Sequence, residues 1–482
     1  MNNPRSIFWH DYETWGAQAR KDRPCQFAGI RTDEELNIID DPVVMYCKPT
    51  PDYLPHPEAC LVTGISPEKA LDEGVTEAEF CASIAEQFMQ PNTCVSGYNS
   101  IRFDDEVSRH LLYRNFYDPY EREWKNGNSR WDIIDLVRMT HALRPDGIIW
   151  PKKEDGRPSF RLEELTAANG IAHEGAHDAL ADVIATIEMA KLVKQSQPRL
   201  YDWLYTLRNK NKVKPLLDLA GRDMLVHVSG MFPATWGCMA LVVPLAMHPL
   251  NQNGVIVYDV SQDPAAWMSL DAEEIRRRVF TRSDQMEAGV ERVALKTIHV
   301  NKCPALAPLS VLDESTIERY GIDIATCEAN REMLLRDARL PGKIREVFTE
   351  PEVEASGDPD HMLYGGGFFS DQDKQLMAEV RSGNDETLTG MALPFQDKRL
   401  PEMLFRYRAR NFPGSLDAEE TRRWQGWCRE QLERNPNGVG LSVMEYFQAL
   451  DKLVIEQPEH RSLLDSLRAY GEHLWEEVGA KS

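Results

Sequence analysis

The chain has no C-x-x-C pair, and its nine cysteines are scattered over 482 residues. That spacing offers neither a four-ligand zinc site nor a disulfide framework, and the odd number points to reduced thiols. Long apolar runs are missing as well. The longest, MALVVPLAM at 239–247, carries a proline and falls far short of the roughly 20 residues a membrane-spanning helix needs. The first residues, MNNPRSIFWHD, turn acidic before a signal-peptide core can form, so a cytoplasmic protein with no membrane partner is expected. No repeat of fixed period, low-complexity tail or heptad stripe is present, and a monomer is expected. Positive charge is also scarce, with a formal net charge of -22. An excess of carboxylates argues against a nucleic-acid partner if charge is averaged over the chain. It is not spread evenly: Lys191, Lys194, Arg199, Arg208, Lys210, Lys212 and Lys214 crowd one short stretch, which leaves room for a basic track on an acidic body.

What is present describes a soluble globular protein, with 42% hydrophobic and 27% charged residues and length for roughly two to four domains. From residue 5 to about 195, short apolar runs (IFWHDYE, QFAGIRTD, VVMYCKP, TCVSGYN) alternate with helical stretches near 76–89, at DDEVSRHLLYRNF, at WDIIDLVRMTHAL and at HDALADVIATIEMAKLVK. Mixed elements over this length predict an α/β or α+β domain. Between 198 and 350, LVHVSGMF, MALVVPLAMH, NGVIVYDV and ALKTIHVNKCPAL read as strands separated by Gly, Pro and Asn turns, predicting a small sheet or barrel. Beyond the Pro-, Gly- and Asp-rich stretch at 350–360 the remainder reads as mostly helical. Three domains are therefore expected, at 1–195, 198–350 and 354–482.

The chemistry begins at SIFWHDYETWG. On an extended strand Asp11 and Glu13 face one way and Tyr12 the other. Two half-buried anions side by side need a cation or a proton. Two later places supply partners. In GYNSIRFDDEV a helix begins near Asp104 and Asp105, where an acid also suits a helix start. In AHDALADVIATIEMA, His177 and Asp182 are five residues apart. On a continuous helix they diverge by roughly 140° and converge only if His177 precedes the first regular turn. Asp178 and Asp182, at i and i+4, share a face, so spacing alone does not prefer His177 to Asp178.

The order D-x-E, then Asp, then H-x4-D resembles the DEDDh branch of the 3′-to-5′ proofreading-exonuclease superfamily. With GYNSIRFDDEV, NSRWDIIDLVR, PSFRLEELTAANGI, VHVSGMF, HVNKCP, GFFSD and YRARNFPGSL, the chain from about 6 to 475 is similar to the bacterial exonuclease I family. The resemblance implies an α/β, ribonuclease H-like exonuclease domain with a mixed sheet, an SH3-like domain and a helical C-terminal domain, arranged as a C around one strand. It implies processive 3′-to-5′ hydrolysis of single-stranded DNA to 5′-mononucleotides, in DNA repair and recombination. It casts Asp11, Glu13, Asp104 and Asp182 as ligands of two Mg²⁺ ions, replaceable by Mn²⁺ and about 3.5–4 Å apart, and His177 as the general base. Glu13 would also touch the terminal nucleotide.

By the same resemblance, Arg161 contacts substrate through its planar fork. Arg109, Tyr120, Trp124, Arg138, Arg144, Phe160, Lys210 and Lys296 line the channel, with stacking that tolerates any base. Basic residues near 208–222 are expected to seat the acidic C-terminal tail of single-stranded DNA-binding protein. The stretches KNGNSR, QMEAGVERVALK and YGGGFFSD depart from the family pattern but spare the five catalytic positions. The catalytic motif itself does not separate DNA from RNA; contacts at the 2′ position do.

Overall fold

The computed structural model describes residues 4–173, 175, 177–349 and 357–479. Its residues gather into two compact units. One holds the described residues of Met1–Ser129, His173–Ile187 and Val353–Ser482, the other those of Arg130–Ala172 and Glu188–Glu352. Residues 350–356, within the Pro-, Gly- and Asp-rich stretch, lie outside the described residues.

The first unit is built on a mixed sheet. Strands β1 (Ser6–Thr14), β2 (Pro24–Thr32), β3 (Val43–Tyr46) and β4 (Thr93–Gly97) lie in the order β3-β2-β1-β4. β1 runs antiparallel to β2 and parallel to β4. A strand covered on both faces reads as a continuous apolar run rather than an alternation. β1 accordingly is buried along its length except at Asp11. One face carries Phe8, Tyr12 and Phe27, which share a core with Phe80, Ile84 and Phe88 of the helix Glu77–Met89 and with Val107 and Leu111 of the helix Asp104–Arg114. The i, i+4, i+8 spacing of 80, 84 and 88 gives the first of these helices its buried stripe. Its start is written in T-E-A-E: Thr76 Oγ1 accepts from the Glu79 amide while the Glu79 carboxylate accepts from the Thr76 amide, a capping box.

The C-terminal helices belong to this same unit. Trp15, Cys25, Tyr53 and Cys60 from the N-terminal residues form one core with Phe405, Trp424, Tyr446, Leu450, Leu467, Leu474 and Val478. A second shared core joins Tyr113 and Phe116 to Met377, Val380, Met403 and Tyr407. Between them runs a buried ionic seam. Asp52 Oδ2 accepts from Arg23 (2.9 Å) and Arg410 (2.8 Å), Asp360 Oδ2 from Arg410 (2.7 Å) and Arg406 (3.2 Å), and Asp358 Oδ1 from Arg406 (2.6 Å).

The second unit, which begins within β5 (Ser129–Asp132), contains an antiparallel five-stranded sheet. Strands β6 (Leu225–Val228), β7 (Met239–Met247), β8 (Gly254–Asp259), β9 (Leu295–His299) and β10 (Ala305–Pro308) follow the order β10-β6-β7-β8-β9. Pro244 interrupts the middle strand, and the β7–β8 register shifts between Pro244 and Ala246. A proline inside a sheet is tolerated at such a bulge because the missing N–H is not called on. No helix among the described residues is long and apolar enough to cross a membrane.

Candidate active site

The five residues expected to be catalytic, Asp11, Glu13, Asp104, His177 and Asp182, fall in the first unit. β1 places Asp11 and Glu13 on one face; Tyr12 turns to the other, where Ser108 Oγ donates to its hydroxyl at 3.1 Å. Asp104 is the first residue of its helix, whose N-cap is Phe103 without a side-chain cap bond. Asp104 Oδ1 accepts from the backbone N–H of Tyr12 at 3.2 Å, which ties the helix start to the strand between the two acids.

The segment before the helix Ala179–Ser196 gives His177 and Asp178 different surroundings. His177 precedes the helix in the left-handed region, with φ of 70°, and its backbone N–H donates to Asp182 Oδ2 at 3.3 Å. That conformation breaks the helical angular relation and brings ligand atoms of Glu13, His177 and Asp182 within 4.8 Å of one another. Asp178 is occupied elsewhere. Its Oδ1 accepts from the amides of Leu180 (3.1 Å) and Ala181 (3.2 Å), and its Oδ2 from Gln26 Nε2 (3.2 Å).

Electrostatics single out the same place. Burial pushes the Asp11 carboxyl well above its ordinary range, and Asp104, Glu13, Asp182 and Asp178 push it further. Burial likewise raises Glu13 to about 9, reinforced by Asp182, Asp104 and Asp178. Burial raises Asp182 too, held back by His173 and His177. The charges that act most strongly on Asp11 and Glu13 are other carboxylates. An all-oxygen acidic donor set of this kind suits a hard divalent cation, which removes the mutual repulsion. The residues present therefore fit a divalent metal.

Two neighbours escaped the sequence reading. His173 Nε2 lies 2.5 Å from Asp182 Oδ1, with its side chain 5% exposed; the available signal was the second histidine in AHEGAHD. Gln26 lies on β2 directly across from Glu13 and is 1% exposed; nothing in its local sequence marks it.

The remaining foreseen residues divide between the units. In the first, Arg109 is buried and donates to Glu106 (2.7 Å) and Glu123 (2.9 Å). Its guanidinium also lies 5.4 Å from the Tyr120 ring centroid. Tyr120 meets the largely exposed Phe368 edge to face at 5.9 Å, and Trp124 is 65% exposed. In the second, Arg138 donates to Asp135 (2.7 Å) and lies 5.9 Å from the Phe160 ring centroid. Any side chain at Gly230 would strike that guanidinium, with a Cβ only 2.9 Å from its carbon. Arg144 donates to the Val311 carbonyl (2.9 Å) and Asp313 (3.4 Å). Arg161 is 68% exposed beside Glu163, Lys210 opens a short exposed helix, and Lys296 Nζ lies 4.4 Å from the Phe232 ring centroid.

Three family models match the chain: an exonuclease model over residues 8–190, the exonuclease I SH3-like domain over 208–350 and the exonuclease I C-terminal domain over 357–474. The chain is 46% identical over 470 residues to exodeoxyribonuclease I of Haemophilus influenzae, covering 97% of this chain and 98% of that protein. Its fold matches the crystal structure of Escherichia coli exonuclease I in complex with a dA16 oligonucleotide. The TM-score is 0.93 at 45% identity, over 98% of this chain and 100% of that one. The zinc-bound form of an E. coli exonuclease I complex with single-stranded DNA matches with a TM-score of 0.92 at 45% identity, over 98% and 100% of the two chains.

Proposed function

The chain belongs to the exonuclease I family, and from that membership we propose how its own residues carry out the reaction. It is a 3′-to-5′ exodeoxyribonuclease that acts on single-stranded DNA. The observation that carries the assignment of roles is the convergence of Glu13, His177 and Asp182 on one point, beside Asp11 and Asp104.

Asp11, Glu13, Asp104 and Asp182 would hold divalent cations, two Mg²⁺ ions that Mn²⁺ could replace. When bound, the ions neutralise the carboxylates and stabilise the charge that develops on the phosphate oxygens and the departing 3′ oxygen. His177, outside the helix and exposed, takes the proton of the attacking water at its imidazole. The water oxygen bonds to phosphorus, the bond from phosphorus to the 3′ oxygen breaks, and a 5′-mononucleotide leaves. Asp182 holds the His177 backbone and so orients the base. The exposed ring of Trp124 and the pair Tyr120 and Phe368 offer faces on which bases stack without sequence preference. Arg138, Arg144, Arg161, Phe160, Lys210 and Lys296 supply phosphate and ring contacts from the second unit. The exposed Lys210, Lys212 and Lys214 suit the acidic tail of single-stranded DNA-binding protein. The enzyme works as a processive cytoplasmic monomer in DNA repair and recombination.

The test uses DNA and RNA oligomers, single-stranded and duplex, with Mg²⁺ or EDTA, and resolves the products. Mononucleotides released from the 3′ end of single-stranded DNA in Mg²⁺ alone are expected. His177→Ala should lower kcat at least ~100-fold, within the range for losing a general base. Equal degradation of RNA would reassign the enzyme as a ribonuclease, and binding without cleavage would make it a binding protein.

A further inference from the structure

Asp11 and Glu13 ride on a strand, whereas His177 and Asp182 sit about 170 residues away at the start of a helix, so the site needs something that fixes one to the other. We propose that Gln26 is the positioning residue that does so, a buried amide fastening the first turn of the helix Ala179–Ser196 to the strand pair that carries the acids. The role rests on the reaction assigned above.

Gln26 pairs with Glu13 across β1 and β2, and directly opposed residues of antiparallel strands project from the same face. Its amide makes three hydrogen bonds. Oε1 accepts the backbone N–H of Ala179 at 3.2 Å, while Nε2 donates to Asp178 Oδ2 at 3.2 Å and to the Tyr46 hydroxyl at 3.3 Å. Chemistry fixes the orientation of the amide, since reversing it would set an NH₂ against an N–H and an oxygen against a carboxylate. Asp178 at the same time caps Leu180 and Ala181, so the glutamine grips the capped turn as one body. His177 is the residue before that turn, and the Asp182 amide donates to the Asp178 carbonyl at 3.1 Å. A shift of the turn therefore moves the base and one metal ligand together, while Asp11 and Glu13 stay with the strand.

Gln26→Met keeps the length and removes every hydrogen bond. The expected result is a fall in kcat of about 30-fold, below the ~100-fold that a 1 Å misplacement can cost, with KM for a single-stranded oligomer changed by less than about threefold. In the metal-free protein, hydrogen exchange at Ala179, Leu180 and Ala181 should speed up by about tenfold while β1 and β2 amides keep their rates. If Gln26→Met does not fold, Gln26→Asn, which keeps an amide that cannot reach, takes its place with the same readouts. A kcat within about twofold of the parent overturns the role. So does exchange that rises across the whole sheet, which marks Gln26 as a general structural residue. A variant that shows the local exchange effect beside a wild-type protein that cuts no DNA overturns the assigned reaction instead, which separates the two failures.

Discussion

Two clusters of buried carboxylates lie in the same unit and have been treated by the chain in opposite ways. In the seam, burial alone would raise Asp52, but Arg23 and Arg410 overcome it and hold the carboxyl well below its ordinary range. Asp360 is lowered in the same manner by Arg410 and Arg406. At the site, burial raises Asp11 and Glu13 and the neighbouring carboxylates add to it. The residue types and the burial are alike; what differs is who supplies the positive charge. The seam draws its counter-charge from its own arginines, whereas the strongest charges on Asp11 and Glu13 are carboxylates. A structural ion cluster and a binding site are thus told apart by the missing counter-charge and not by the acids.

That contrast can be broken at either end. The largest effect is expected from chelation: EDTA should lower nucleotide release at least ~10³-fold, equivalent to about 4 kcal/mol of lost charge stabilisation, while the circular dichroism spectrum at pH 6 stays native. Next comes Arg410→Met, which leaves Asp52 and Asp360 short of a shared cation. Urea unfolding should show a loss of about 3–5 kcal/mol, where removing a site acid does not destabilise.

A smaller effect separates the clusters by pH. Asp52 and Asp360 have depressed folded pKa values, so their contribution is present above the unfolded carboxylate range, about 3.9, and is lost as pH falls below it. Glu13 is raised from the ordinary glutamate value to about 9, so the metal-free protein is most stable below about pH 4.5 with respect to this group and loses that stability as pH rises toward 9. In EDTA, the melting temperature should therefore decline between pH 5 and 9. Glu13→Gln should raise it at pH 8 by the equivalent of more than ~1 kcal/mol, and Mg²⁺ should lift the parent but not the variant. A melting temperature of Glu13→Gln below that of the parent at pH 8 in EDTA would end the comparison. The smallest effect belongs to Asp358→Asn. This seam member is raised by burial and by Asp360 against the pull of Arg406, so neutralising it should cost only about 1 kcal/mol in urea unfolding.

Much of this was legible before any coordinates. The D-x-E pair could be read because strand alternation is a two-residue rule, and the helix Glu77–Met89 because its capping box and apolar spacing are local. His177 was legible only as a conditional: convergence with Asp182 required a break from helical geometry, and the break is a positive φ at a non-glycine residue that no spacing rule reports. Gln26 was invisible, because its partners Asp178 and Ala179 lie 152 and 153 residues away and an isolated glutamine in an apolar run carries no periodic signal. The shared cores of the N-terminal sheet and the C-terminal helices were equally hidden. An amphipathic helix announces that it has a buried face but not what covers it.

Because Trp15, Cys25 and Tyr53 share one apolar core with Leu467, Leu474 and Val478, the unit that holds the acids closes only when nearly the whole chain has been made. At roughly 5–20 residues per second, synthesis of such a chain takes on the order of a minute, and for most of it the emerging polypeptide carries the D-x-E strand without the wall that steadies it. A chain that stopped short of Leu467 would carry the strand of Asp11 and Glu13 and lack part of the core that Trp15, Cys25 and Tyr53 complete.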